Sequence, residues 1–262
     1  MLELSTNVVL NYEVRNAEAD TSLLFFNGAT LPLQFWTPLL DLLSDFRCIT
    51  FDQRNSGHTE FSGTFTLGDI AADAAALLSH QECKSVIAVG HAWGGRAAQV
   101  SARDYPHLVS SLVICGTGGQ LQAKTDPKML MALNTARKID DRETWEAALH
   151  NTYCGEHFRQ QQPGAFQATA DLIWHAPTPR SARWEQEPYP SDSYWGTCQQ
   201  RTLLIYGSED KNGTPENAKD LHERTRNSEL HFIEGAGHFV IREAPNKVAR
   251  FIRDFVQEGE HP

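Results

Sequence analysis

With 262 residues, 40% of them hydrophobic and 21% charged, the chain has enough apolar material for a buried sheet and is excluded from the disordered and fibrous classes. A formal net charge of −10 argues against nucleic acid and against an anionic membrane surface as partners. It leaves a small-molecule substrate, with a homo-oligomer as an open question.

Five scattered cysteines, Cys48, Cys83, Cys115, Cys154 and Cys198, have neither metal-ligand nor redox spacing and read as free thiols of a reducing cytoplasm. The first residues lack the basic start and apolar run of a signal peptide, and no stretch reaches membrane-spanning length. No dinucleotide fingerprint and no ligand cluster is present, so neither cofactor nor metal is expected.

In chain order, residues 6–14 alternate loosely and predict an antiparallel opening strand. The apolar run 22–26 predicts a buried parallel strand, which stops at Asn27-Gly28-Ala29-Thr30. A helix follows from Trp36, then a second buried strand over 46–51 and the loop Asp52-Gln53-Arg54-Asn55-Ser56-Gly57. In that loop Asp52 and Arg54 are expected to tie loops together rather than react. Residues 69–79 carry alanine and leucine at helical spacing.

The most informative stretch is next: Val86-Ile87-Ala88-Val89-Gly90-His91-Ala92-Trp93-Gly94-Gly95-Arg96. A β-branched run enters a glycine-bracketed turn and leaves as a helix. That spacing fits a sharp strand–turn–helix elbow whose central residue is strained and whose neighbours need almost no side chain. The usual pattern is G-x-S-x-G, and here Ala92 replaces the serine. A strand over 108–115 follows and ends at Gly116-Thr117 without a carboxylate.

Between 120 and 195 the strand runs vanish. Helical patterns appear over 127–138, 142–153 and 163–174, with four tryptophans, and a Pro-rich loop spans 177–190. Strand 202–207 leads to Gly207-Ser208-Glu209-Asp210, helix 215–225 follows, and strand 230–233 leads to Gly235-Ala236-Gly237-His238. A helix over 244–256 closes the chain.

Gly-His-Ala-Trp-Gly-Gly, the Gly-x-x-Asp-x-x-x-x-Pro loop and Gly-x-Gly-His together resemble the α/β-hydrolase fold family, and the resemblance spans nearly the whole chain. It implies a mostly parallel eight-stranded sheet flanked by helices, with residues 1–119 and 196–262 as the core and 120–195 as an inserted helical cap. It implies Ala92 at the nucleophile position, His238 as the base and Asp210 as its acid, with backbone N–H groups of Ala29 and Trp93 as the oxyanion hole and Thr30 as the neighbouring donor candidate. Asn27, which stands where the family carries histidine, is a candidate substrate contact together with Thr30, His91 and Trp174.

The implied activity is hydrolysis of an ester, lactone or similar acyl bond of a small to medium apolar substrate. Without the serine hydroxyl three accounts remain: an inactivated serine-to-alanine form of such a hydrolase, in which the chain as written does not turn over, a natural enzyme using His238 as a lone general base in lyase or cofactor-free oxygenase chemistry, or a non-enzymatic small-molecule binder.

Overall fold

The computed structural model describes residues 1–5, 7–118, 131, 132, 135, 136, 138–178 and 194–259. Its main sheet is built from the runs that the sequence writes as continuously apolar. Strands β4 (Ser22–Phe26), β5 (Arg47–Phe51), β7 (Val86–His91), β8 (Val109–Cys115) and β9 (Arg201–Gly207) are buried along most of their length. Both faces are covered, so hydrophobicity need not alternate along each strand. Successive side chains still diverge: Leu23 and Phe25 face one core cluster, and Leu24 and Phe26 face the other.

Among the described residues the expected eight-stranded sheet is instead a seven-stranded sheet and a separate three-stranded one. The large sheet has the order β10-β9-β8-β7-β4-β5-β3, where β3 is Tyr12–Arg15 and β10 is Ser228–Ile233. All of its pairs are parallel except β3 with β5. The small sheet joins β1 (Leu2–Ser5), β2 (Val8–Leu10) and β6 (Glu60–Phe61).

The difference has a local cause at Asn11. Its N–H donates to Thr59 Oγ1 at 2.9 Å, and its carbonyl accepts from Asp52 N at 2.9 Å. The single strand expected over 6–14 is thereby divided between two sheets.

Helices α2 (Leu67–His80), α3 (Trp93–Asp104) and α7 (Pro215–Arg224) pack on one face of the large sheet. On the other face lie α1 (Thr37–Leu40), α8 (Val240–Glu243) and α9 (Pro245–Gly259). A reciprocal capping box between Thr66 and Asp69 starts α2.

Between β8 and β9 in the chain come α4 (Arg142–Tyr153), α5 (Phe158–Gln161) and α6 (Pro163–Trp174). Trp145, Leu149, Phe158, Phe166 and Ala170 of these helices share one apolar cluster with Phe25, Trp36 and Val240 of the body. The helix expected over 127–138 and the loop over 177–190, with Trp184 and Tyr189, lie largely outside the described residues.

Chain order reverses between β4 and β7. From there the sequence moves outward through β5 on one side and through β8, β9 and β10 on the other. In open parallel sheets, the strand ends beside such a reversal form a crevice suited to ligands.

Candidate active site

The loops at the carboxyl ends of β4, β7, β9 and β10 meet over this crevice. The elbow between β7 and α3 is the tightest of them. Ala92 has φ 52° and ψ −120°, a left-handed conformation that usually strains a residue bearing a Cβ by about 1–3 kcal/mol. Its surroundings impose that geometry. Ala92 N–H donates to the Cys115 carbonyl at 2.9 Å, and Gly94 sits so close to the Phe26 and Asn27 carbonyls that an added Cβ would overlap them. An added Cβ on Gly90 would strike the backbone of Gly94 and Gly95. Helix α3 therefore starts hard against the end of β4, with Trp93 as its first residue and its amide end toward the crevice.

Asp210 follows β9 and is 2% exposed; His238 follows β10 and is 3% exposed. His238 Nδ1 lies 3.1 and 3.0 Å from the two Asp210 carboxylate oxygens and therefore carries the proton between them. Asp210 Oδ1 also accepts the Asn212 and Gly213 N–H groups, each at 2.8 Å, which fixes the carboxylate before any substrate arrives. Gly213 has to be a glycine because its α-carbon faces the Gly116 carbonyl too closely for a Cβ.

With Nδ1 protonated, Nε2 presents a lone pair. Its partner is the Asn212 side-chain amide at 3.2 Å.

The His238 loop is held from two sides. His238 N–H donates to the Tyr153 carbonyl at 2.7 Å, at the end of α4. Its own carbonyl accepts from His91 Nε2 at 2.9 Å. That bond makes His91 the Nε2–H tautomer and leaves its buried Nδ1 without a partner. Desolvation, with His238 nearby as a smaller cause, pushes the His91 pKa down to about 3, so the ring is neutral at ordinary pH. It stacks on Phe35 at 5.5 Å and stands edge-on to Trp36.

A cavity of about 230 Å³ opens over these groups. Ala29, Thr30, Ala92, Trp93, Asn212 and His238 line its floor, and Trp145, Leu149, Tyr153 and Ile173 line the facing side. Ala29 and Trp93, the two residues with oxyanion roles implied by the resemblance, thus border the same space as Ala92 and His238. Thr30, at φ 60°, also reaches the cavity, with its hydroxyl donating to the Ala29 carbonyl at 2.7 Å. His91 contributes to the wall.

Two candidate substrate contacts are placed elsewhere. Asn27 is buried, and its amide is engaged in the framework: Nδ2 donates to the Phe51 carbonyl at 2.9 Å, and Oδ1 accepts from Trp36 Nε1 at 2.8 Å. Trp174 is absent from the cavity lining. Its ring packs on Trp145 at 5.0 Å, with the Arg142 guanidinium over both. Its chain neighbour Ile173 faces the cavity instead.

Asp52 and Arg54 tie loops as expected. Asp52 accepts from Asn11 Nδ2, Leu33 N and His58 N, and Arg54 pairs with Asp73 through two bonds of 2.7 and 2.8 Å. Among the described residues no cluster of His, Cys, Asp or Glu could hold a metal ion.

Three further residues hold the site together: Asn212, Tyr153 and Glu243. Asn212 is reachable from sequence by its two-residue spacing from Asp210. Tyr153 and Glu243 act through backbone contacts that sequence does not express. Glu243 is buried, and its Oε2 accepts from Gly155 N at 2.9 Å and Gly237 N at 3.0 Å, binding the end of α4 to the His238 loop.

The poly(3-hydroxyalkanoate) depolymerase of Ectopseudomonas oleovorans is 28% identical over 249 residues, covering 91% of this chain and 85% of that protein. An esterase from Thermogutta terrifontis superposes with a TM-score of 0.80 at 21% identity, over 96% of this chain and 94% of that one. The enol-lactonase from Burkholderia xenovorans LB400 gives 0.79 at 17% identity, over 95% and 96%. These two solved structures share the fold. The model of the α/β hydrolase fold family matches residues 21–245, a span that includes Ala92, Asp210 and His238, and so the chain belongs to that family.

Proposed function

We propose that this protein hydrolyses an ester, lactone or similar acyl bond of a small, largely apolar substrate, with His238 as general base and Asp210 as the group that orients it. The observation that carries this reading is His238, held through Nδ1 by the buried Asp210, lining the same cavity as Ala92 and the oxyanion candidates. The apolar facing side supports the substrate class, and hydrolase relatives support the reaction class.

In the full triad a serine hydroxyl at position 92 would attack the carbonyl, pass its proton to His238 and form an acyl-enzyme. The N–H groups of Ala29 and Trp93 would receive the oxyanion, each worth about 3–4 kcal/mol in the transition state. Ala92 closes that covalent route while leaving the elbow intact. Water is then the nucleophile: it gives a proton to His238 Nε2, attacks the carbonyl carbon, and the leaving oxygen takes the proton back. The five cysteines are buried and free of disulfides, which supports a reducing, cytoplasmic setting.

The test compares p-nitrophenyl acetate and butyrate turnover by the chain, by Ala92→Ser, and by Ala92→Ser combined with His238→Ala. Serine is expected to raise the rate by several orders of magnitude and to give a burst, which the double variant loses. No gain from serine on esters or lactones would overturn the reading.

A further inference from the structure

At the one place where the base is free to act, its lone pair already has a partner. His238 Nε2 is 3.2 Å from Asn212 Nδ2, and both residues line the cavity above the Ala92 methyl. A serine would present its hydroxyl to this nitrogen; here a side-chain amide does so instead. Asn212 is also held at its backbone, since its N–H donates to Asp210 Oδ1 at 2.8 Å. The acid that orients the histidine therefore positions the amide as well.

We infer that Asn212 is a catalytic residue that holds the attacking water against His238, a role that rests on the proposed hydrolase reading. Substrate entry replaces the direct Asn212–His238 bond by a water between the two. That water donates one hydrogen to Nε2 and accepts one from Asn212 Nδ2. One of its lone pairs is then committed to the amide and the other is aimed at the carbonyl carbon. On attack the new C–O bond forms, the proton passes to Nε2 and the carbonyl electrons move to the oxyanion. Collapse breaks the bond to the leaving oxygen, which recovers the proton from Nε2. One water is consumed, and an acid and an alcohol are released. Alone, an imidazole fixes a water in one direction; a second anchor supplies the orientation that the missing hydroxyl would have had from its covalent bond.

The experiment measures p-nitrophenyl acetate hydrolysis by the full chain and by His238→Ala, Asn212→Ala and Asn212→Asp, from pH 5 to 9. His238→Ala is expected to remove the catalysed rate. Asn212→Ala is expected to lower kcat roughly ten- to a hundredfold with KM nearly unchanged, since it disorders a water and leaves the substrate wall intact. Asn212→Asp keeps the shape and the backbone bond. Its carboxylate beside Nε2 should favour the protonated imidazole and move the acidic limb of the kcat profile to higher pH.

If His238→Ala leaves the rate unchanged, the hydrolase reading and this role fall together. If His238→Ala removes the rate while Asn212→Ala keeps the original kcat, or Asn212→Asp leaves the acidic limb in place, the hydrolase reading stands and the role of Asn212 falls.

Discussion

The two sides of the cavity are built by different physics. The floor consists of short turns at the ends of parallel strands, where backbone groups fix the geometry: Ala92 N–H on Cys115, Asp210 on two amides, His238 N–H on Tyr153. The facing side comes from α4 and α6, where Trp145, Leu149 and Ile173 are set by side-chain packing. A floor of this kind tolerates almost no added atom, because backbone cannot step aside. An apolar wall loses contacts when trimmed, yet remains a wall. Chemistry should therefore fail abruptly on one side, and substrate preference should drift on the other.

The largest effect is expected at Gly94. Its α-carbon faces the Phe26 and Asn27 carbonyl oxygens, which are fixed by the sheet. Gly94→Ala has to separate α3 from β4, and a destabilisation of about 4 kcal/mol or more is expected. Urea denaturation monitored by circular dichroism measures it. A variant of wild-type stability would show that the floor can relax, and the contrast between the sides would lose its basis.

Next comes Trp145, 2% exposed and packed on Trp174. Trp145→Ala should remove about 3–5 kcal/mol of stability through the cavity it leaves. In turnover assays KM should rise more than kcat falls, because the residue lines the side of the cavity that faces Ala92 and His238. A kcat loss as large as that of His238→Ala would place Trp145 in the chemistry and erase the distinction.

The contrast also explains what was legible in the sequence. Turns that admit only glycine write themselves into the chain, so Gly90, Gly94 and the Gly237-His238 pair located the floor. Asp210 comes from the resemblance of its Gly-x-x-Asp-x-x-x-x-Pro loop to the family's acid loop. Nothing comparable marks the direction of a side chain on a half-buried helix. Trp174 looked like a substrate contact, whereas Ile173 beside it faces the cavity. Asn27 departs from its expected place for a related reason: its position at the end of β4 is visible in sequence, but its bonds to Phe51 and Trp36 depend on residues 24 and 9 positions away. The split of the opening strand at Asn11 depends on Thr59 and Asp52, which local alternation does not register.

Glu243 lies at the seam between the two sides, bound to Gly155 at the end of α4 and to Gly237 beside His238. Burial raises its pKa from 4.5 to about 7, against the pull of those two N–H groups. The folded protein thus holds a proton that the unfolded chain releases between pH 4.5 and 7, so this residue's contribution to stability declines as pH rises through that window. His91 acts in the opposite sense: with its pKa lowered from 6.5 to about 3, its contribution is present above 6.5 and declines as pH falls. The two slopes oppose each other between pH 4.5 and 6.5. Glu243→Gln keeps an acceptor for the two N–H groups and removes the titration. The variant's stability relative to the parent should therefore climb by about 1.4 kcal/mol per pH unit, from near equality at pH 4.5 to a gain of roughly 3 kcal/mol at pH 7. Paired denaturation curves at four pH values give the slope directly. A flat difference would mean that the seam carries no proton and that Glu243 bridges Gly155 and Gly237 as a carboxylate.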